Sequence, residues 1–532
     1  MAGEVDRREF VKLAGAGGVA AAATGWEAVL AQAPAAVAPG PDAAERDLVL
    51  LALDAARSAG ASYADARVMR GLIESVSTRE QQITGVGKTE TYGVGVRARV
   101  GGSWGFAATN DLTKDAVAAA AKHAAAIAAG NDRVNPVKSP LAPVTRVPDG
   151  RWITPHQIDP FTVPIEEKAQ LLFKTNDEAL RVKGVRFVTS NLTSFKDSRL
   201  LGTTDGSLIQ QTFLRVSPNV NVTAVSDDNS DFQTRNGAVP PRGAGWEYVT
   251  AVRIDENVHR WAEEAVAKLS AAPVEPGVYD LVLHPSHLWL TIHESIGHPT
   301  ELDRAMGFEA NFAGTSFLSP PEQVLNKFRY GPPFMTVLGN RTEDGGLATC
   351  GWDDEGVPAQ SWAIVSKGLF VNYQTTRDMA PWIEPLTKTR TSHGTALGQD
   401  WKSIPFQRMP NVSLQPNPKE ITEDEVIGET KHGIYIEGNG SFSIDQQRYN
   451  FQFGGQTFWE IRDGKRTRML RDVAYQARTP DFWNALALVG GRRTYRLGAA
   501  LNDGKGQPQQ INAVSHGCPI ALFRNVNVIN TA

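Results

Sequence analysis

The sequence predicts an α+β protein: an N-terminal helix-plus-antiparallel-sheet region followed by a mainly antiparallel β domain that carries a His-Glu helix. Three observations predict it. Helical and strand periodicities alternate over residues 42–272 in the order helix, meander, helix, and the order then repeats. Beyond Gly277 short strands dominate, set off by Gly, Pro and Asp punctuation. The chain has 532 residues, too many for one core, so two or three domains are expected.

The first helix is expected over residues 42–59, where Leu48, Leu51, Leu53 and Ala56 share a face after a Pro-Asp start and Gly60 stops it. Alternating segments at 63–68, 74–79 and 93–100 follow, and Gly101-Gly102 turns the chain into 103–107. Asp111 to Asp115 open an alanine-rich helix to about residue 129. A proline-studded linker occupies 131–164. The second unit has a helix at 165–182, strands near 185–194, 199–203 and 207–224, and a closing helix at 255–270. The C-terminal strands are expected at 279–283, 360–365, 369–373, 433–440, 449–453, 456–462 and 522–529. Asp463-Gly464 is a strong hairpin signal. The expected domains are thus 42–130, 165–272 and 277–532.

Composition narrows the function class. A hydrophobic content of 41% with 21% charged residues describes a globular chain. The net charge of −4 and pI near 6.2 argue against nucleic acid as a partner. Residues 1–38 read as targeting: Asp6-Arg7-Arg8-Glu9-Phe10-Val11-Lys12 resembles a twin-arginine export signal, backed by the apolar, Gly/Ala-rich stretch from Leu13 to Thr24. The expectation is export to the periplasm or beyond, with cleavage among the small residues at 31–38. Elsewhere no stretch reaches the roughly 18 apolar residues of a membrane span, so no integral membrane segment is expected. Cys350 and Cys518 are either one bridge or two buried small hydrophobes, the second being preferred.

The chemistry concentrates in His293-Glu294-Ser295-Ile296-Gly297-His298. Histidine is the commonest metal ligand, and a carboxylate beside a metal site is the usual general base for hydrolysis. At i and i+5 the histidines lie about 140° apart on a regular helix. They converge only if the helix widens, most simply by a π-type turn, which Gly297 makes cheaper.

The string from His293 to Asp303 resembles the H-E-x-x-x-H region of the TldD/PmbA family of zinc metallopeptidases. Asp353-Asp354-Glu355-Gly356-Val357-Pro358-Ala359-Gln360 is similar to a second signature of that family, and Gly504-Lys505-Gly506-Gln507-Pro508 to a third. With the export motif, the chain looks like an exported TldD-like subgroup. The resemblance implies a peptidase with Zn2+ on His293, His298 and a cysteine preceding the C-terminal Gly-Lys, and Glu294 as general base.

At that third position this chain departs. Aligned on Gly504-Lys505, Asp503 stands where the cysteine would. A carboxylate is a legitimate zinc ligand, and its harder oxygen also admits Mn2+ or Fe2+. Open alternatives are His516 or Cys518 as third ligand, or loss of the metal, which leaves a catalytically inactive peptide-binding relative. Glu301 and Asp303 are expected to support the ligands or to form a solvated helix end. Asp353, Asp354 and Glu355 are expected to line a substrate channel or support the metal. His284, His287 and His393 are expected to be ordinary polar residues. The resemblance further implies an enclosed chamber in a homodimer or a heterodimer with a related chain, and short or unfolded peptides as substrates. A third option is a metallohydrolase acting on non-peptide amides.

Overall fold

The computed structural model describes residues 40–138 and 140–531; the Arg7-Arg8 motif and the apolar stretch behind it lie outside the described residues. Helix α1 (Ala43–Ser58) begins at Asp42, whose carboxylate accepts from the N–H groups of Ala44 and Glu45 at 2.8 and 3.2 Å. Strands β1 (Tyr63–Arg79), β2 (Gln82–Val100) and β3 (Ser103–Thr109) form the first meander, and α2 (Lys114–Val134) returns across it. β4 (Gly150–Ile153) lies in the proline-studded stretch. Then come α3 (Ile165–Leu180), β5 (Val185–Thr203), β6 (Leu208–Val225), β7 (Phe232–Asn236) and α4 (Ile254–Leu269).

The two helix-and-meander units are halves of one sheet. Its order is β3-β2-β1-β5-β6-β4, with β7 also on β6, and the units join where β1 pairs antiparallel with β5 from Asp65↔Thr203 to Arg79↔Thr189. β1 and β2 are also longer than the alternating pattern suggests. From Tyr63 to Met69 every β1 residue is buried, because helices cover one face and the C-terminal domain covers the other. A strand covered on both faces shows no period of two. Close approach explains one glycine: a side chain at Gly202 on β5 would strike Val49 of α1.

The C-terminal domain is built on a ten-stranded sheet, mainly antiparallel. Its central strand β8 (Gly277–Leu283) pairs antiparallel with Ala521–Asn530 and parallel with His432–Glu437. Asp463 and Gly464 both take positive φ and join Thr457–Arg462 to Lys465–Arg471, as a two-residue hairpin requires. Helix α5 (Pro285–Ile292) leaves the end of β8, and the hairpin of β9 (Arg496–Lys505) and β10 (Gln510–Cys518) packs over it. Among the described residues, no helix is long and apolar enough to cross a membrane.

The two regions are stitched by buried charge. Arg67 on β1 and Arg199 on β5 each reach Asp354 at 3.1 Å, and Arg97 on β2 reaches Glu355 at 3.0 Å and Asp65 at 2.9 Å. Such pairs add little net stability. Removing one partner, however, strands a buried charge at a cost of about 3–5 kcal/mol, which fixes how the sheet seats on the C-terminal domain.

Candidate metal centre

The His-Glu segment continues α5 without a break. His284 follows β8, and its Nδ1 accepts from the Ser286 N–H at 3.2 Å, capping the helix. From His293 to Gly297 the coil widens into a π turn, with the His298 N–H donating to the His293 carbonyl. A wide turn needs partners for the groups it displaces. The Thr300 hydroxyl donates to the carbonyls of Ile296 and Gly297 at 2.7 and 3.0 Å, and Gln374 Nε2 donates to Gly297 O at 2.6 Å. Tyr330 OH donates to Ser295 O, and Trp483 Nε1 to Ser295 Oγ at 2.9 Å. Gly297 serves this turn by size rather than by torsional freedom. Its φ of −55° suits any residue, but a Cβ there would meet the Met409 sulfur at 2.5 Å.

The turn brings both rings to one place. His293 and His298 stand 4.6 Å apart between centroids, inclined by 75°. Asp503 arrives on β9 from the far end of the sequence, beside a register shift between Ala500 and Asp503 that re-aims the strand. Its Oδ1 lies 3.7 Å from His293 Nε2 and 3.5 Å from His298 Nε2, and the three donor atoms all fall within 4.8 Å of one another. All three residues are buried.

Hydrogen bonds assign the tautomers. His516 Nδ1 donates to Val412 O at 2.9 Å, so its Nε2 is an acceptor, and His293 Nδ1 donates to it at 2.7 Å. His298 Nδ1 donates to Glu301 Oε2 at 3.0 Å. Arg304 Nη2 also lies 3.2 Å from that nitrogen. Glu301 is closer and can only accept, whereas Arg304 has Glu301 and the Ala313 carbonyl to donate to. Both Nε2 lone pairs therefore face Asp503 Oδ1.

Charged residues hold the ligands from behind. Arg408 Nη2 donates to Asp503 Oδ2 at 3.1 Å and to the Asp503 carbonyl, which leaves Oδ1 free for the histidines. Lys505 sits between Glu301 and Asp303 at 3.0 and 2.8 Å. Glu294 is buried and accepts from Arg448 Nη1 at 2.6 Å. Burial holds both histidines well below their ordinary pKa, so they stay neutral, the form in which imidazole binds a metal. Burial raises Glu294, with Arg448 acting against it. Burial alone would raise Glu301, but Lys505, His298 and Arg304 pull it well below the usual range.

The donor set fits a divalent cation. Ligands at roughly 2.0–2.2 Å from a tetrahedral zinc lie about 3.4 Å from one another, close to the two Asp503–histidine separations. His516 supports His293 from the second row, and the Cys518 sulfur lies 3.7 Å from Pro285 O, outside the cluster. Asp353, Asp354 and Glu355 also lie outside it, committed to the domain junction and to backbone N–H groups. His287 bridges Gly438 O and Tyr475 OH, and His393 stacks on Trp362. Cys350 and Cys518 are buried and unbridged. Sequence reasoning missed Arg408, Arg448 and Arg304, which carry no local signal. Lys505 was signalled, inside the Gly-Lys motif.

Comparison with known proteins decides the family. Residues 64–128 match the PmbA/TldA metallopeptidase domain 1, residues 158–272 the central domain, and residues 276–530 the C-terminal domain. The chain belongs to the PmbA/TldD family. It is 27% identical over 472 residues to a metalloprotease of Methanothermobacter thermautotrophicus, covering 88% of this chain and 96% of that protein. It is 22% identical to a zinc metalloprotease TldD homolog of Saccharolobus solfataricus, over 89% of this chain and 98% of that one. The crystal structure of TldE from Thermococcus kodakarensis superposes with a TM-score of 0.65 at 14% identity, over 91% of this chain and all of that one. This PmbA/TldD member therefore shares its fold with solved relatives, and relatives named metalloproteases imply a metal.

The buried imidazoles also set a pH dependence. Burial lowers His287, His393 and His516 to about 4, and it also holds His284 below, and His293 and His298 well below, their ordinary value. An unfolded chain takes up these protons near pH 6.5, so it binds more protons than the folded chain between about 6.5 and 4. Stability then falls as pH drops through that window. Burial raises Asp303 and Asp353 to about 6 and Glu355 to about 7, which acts in the opposite sense. Burial raises Glu294 and Glu343 as well, and the six lowered imidazoles outweigh these five carboxyls. The urea midpoint is expected to be lower at pH 5 than at pH 7.5; an equal or higher midpoint at pH 5 contradicts the balance.

Proposed function

We propose that this chain is a metal-dependent peptidase that hydrolyses short or unfolded peptides. In this reading His293, His298 and Asp503 hold a divalent cation, zinc by preference and manganese or iron as substitutes, and Glu294 is the general base. The supporting observation is the convergence of two unprotonated Nε2 atoms and one carboxylate oxygen from opposite ends of the C-terminal domain. When bound, the cation polarises the scissile carbonyl and makes water acidic enough to be deprotonated near neutral pH.

The residues of the chain divide the remaining work. Glu294 accepts a proton from the attacking water as its oxygen bonds to the carbonyl carbon. It returns that proton to the amine nitrogen as the C–N bond breaks. Asp503 keeps one oxygen toward the histidines because Arg408 engages the other. His516 and Glu301 fix the two imidazoles in the ligating tautomer, a role whose loss costs about 10–100-fold in metal affinity in comparable sites. We further propose export by the twin-arginine route, on the Arg7-Arg8 motif, and action as a dimer with a second copy or a related chain. A solved neighbour named TldE makes the related chain a natural candidate.

The test is digestion of a peptide mixture from a denatured protein, with bound metal quantified before and after chelation. Cleavage that stops on chelation and returns with zinc is the expected result. A protein with neither metal nor cleavage contradicts the reading and favours a peptide-binding relative.

A further inference from the structure

Glu294 is steered by a residue from another element. Arg448 lies in the turn between Phe442–Ile444 and Asn450–Gly454, and its Nη1 donates to Glu294 Oε2 at 2.6 Å. The turn is held in one shape. The Asp445 carboxylate accepts from the N–H groups of Tyr449 and Asn450 at 2.8 and 3.0 Å. Arg448 takes a φ of 64°, which a non-glycine residue adopts only where its surroundings insist, and its carbonyl accepts from Thr479 Oγ1 at 2.7 Å.

Two features separate Arg448 from an arginine that merely stitches the fold. Arg408 and Arg304 spend their donors on backbone carbonyls as well as carboxylates. Among the described residues, Glu294 is the one hydrogen-bond partner of the Arg448 side chain, whose Nε is buried without a partner. The pair is also largely shielded, with 15% of the Arg448 side chain and 7% of the Glu294 side chain exposed, so water competes little for the contact.

We propose that Arg448 is a positioning residue: it locks the Glu294 carboxylate in the direction from which it reaches water beside His293 and His298. This rests on Glu294 being the base. It does so without ligating the metal. Misplacing a catalytic group by about 1 Å costs on the order of 10²-fold.

The experiment compares Arg448→Ala, Arg448→Lys, Glu294→Gln and the double variant Arg448→Ala/Glu294→Gln in the zinc-loaded full chain. It reads kcat and KM on one fluorogenic peptide, and zinc affinity by competition with a chelating dye. Expected are a fall of about 10²-fold in kcat for Arg448→Ala with KM and zinc affinity unchanged, and partial recovery in Arg448→Lys, which keeps a cationic N–H donor group. No further loss is expected when Arg448→Ala is added to Glu294→Gln. Wild-type kcat in Arg448→Ala while Glu294→Gln is inactive overturns the inference and leaves the base assignment standing. Zinc loss in Arg448→Ala, or an undiminished effect in the Glu294→Gln background, overturns it as well. Full activity in Glu294→Gln removes the base assignment, and the inference with it.

Discussion

Glu294→Gln lowers kcat by about 10²–10⁴-fold, the usual worth of a general base, and leaves bound metal at the wild-type level. The side chain keeps its length and its contact with Arg448, because an amide oxygen accepts from Nη1 as a carboxylate oxygen does. What it loses is the capacity to hold a proton. Glu294 lies beside the ligand set without belonging to it, so the metal has no reason to leave. Kinetics on a cleaved peptide, run alongside metal analysis of the same preparation, check both halves. Loss of metal together with activity would make Glu294 a structural prop of the site.

His293→Ala is expected to lose metal and activity together, with zinc affinity falling by more than the roughly 10–100-fold typical of a supporting residue. Two things vanish at once: one of three donor atoms, and the N–H donor that satisfies the buried His516 Nε2. Asp503→Cys is expected to retain zinc at least as firmly, because thiolate is the softer ligand and suits that ion better than Mn2+. Arg408 then faces a group that no longer accepts as a carboxylate does, so part of that gain is offset by a buried guanidinium with one partner fewer. Competition titrations with zinc and manganese read both variants. A tight site in His293→Ala, or no zinc in Asp503→Cys, would place the ligands elsewhere.

Much of the site is legible in the sequence because geometry forces it. Two histidines at i and i+5 cannot share a helical face, so a metal reading already demands the wide turn found at His293–Gly297. Asp503 is legible only through its place before Gly504-Lys505; no pattern in residues 300–500 tells that β9 returns to the histidines. His516 carries the right chemistry for a ligand, but the bond of its Nδ1 to Val412 O commits its Nε2 to accepting from His293 Nδ1, on the side of that ring away from the ligating Nε2. Arg408 and Arg448 come from loops and turns with no distinguishing period, and only the folded chain shows what they hold.

The fold divides in the same way. α1, α2 and the Asp463-Gly464 hairpin announce themselves through caps, a one-sided apolar face and turn chemistry. The long β1–β2 hairpin does not, since Tyr63–Met69 is buried throughout and lacks alternation. Nor does the union of both units in one sheet, which depends on the β1–β5 pairing of segments more than a hundred residues apart. Asp353, Asp354 and Glu355 are expected from sequence to serve the channel or the metal. Arg67 and Arg199 pair with Asp354 and Arg97 pairs with Glu355 from the other region of the chain, which makes those two acids a joint between regions, while Asp353 holds its own turn through the N–H groups of Glu355, Val357 and Ala396.

The most direct test of the centre is anomalous diffraction at the zinc edge from crystals of the zinc-loaded protein. A single peak about 2.0–2.2 Å from His293 Nε2, His298 Nε2 and Asp503 Oδ1 is the predicted result. A peak held by His516 or Cys518, or a fully loaded crystal with no peak between the two histidines, contradicts it.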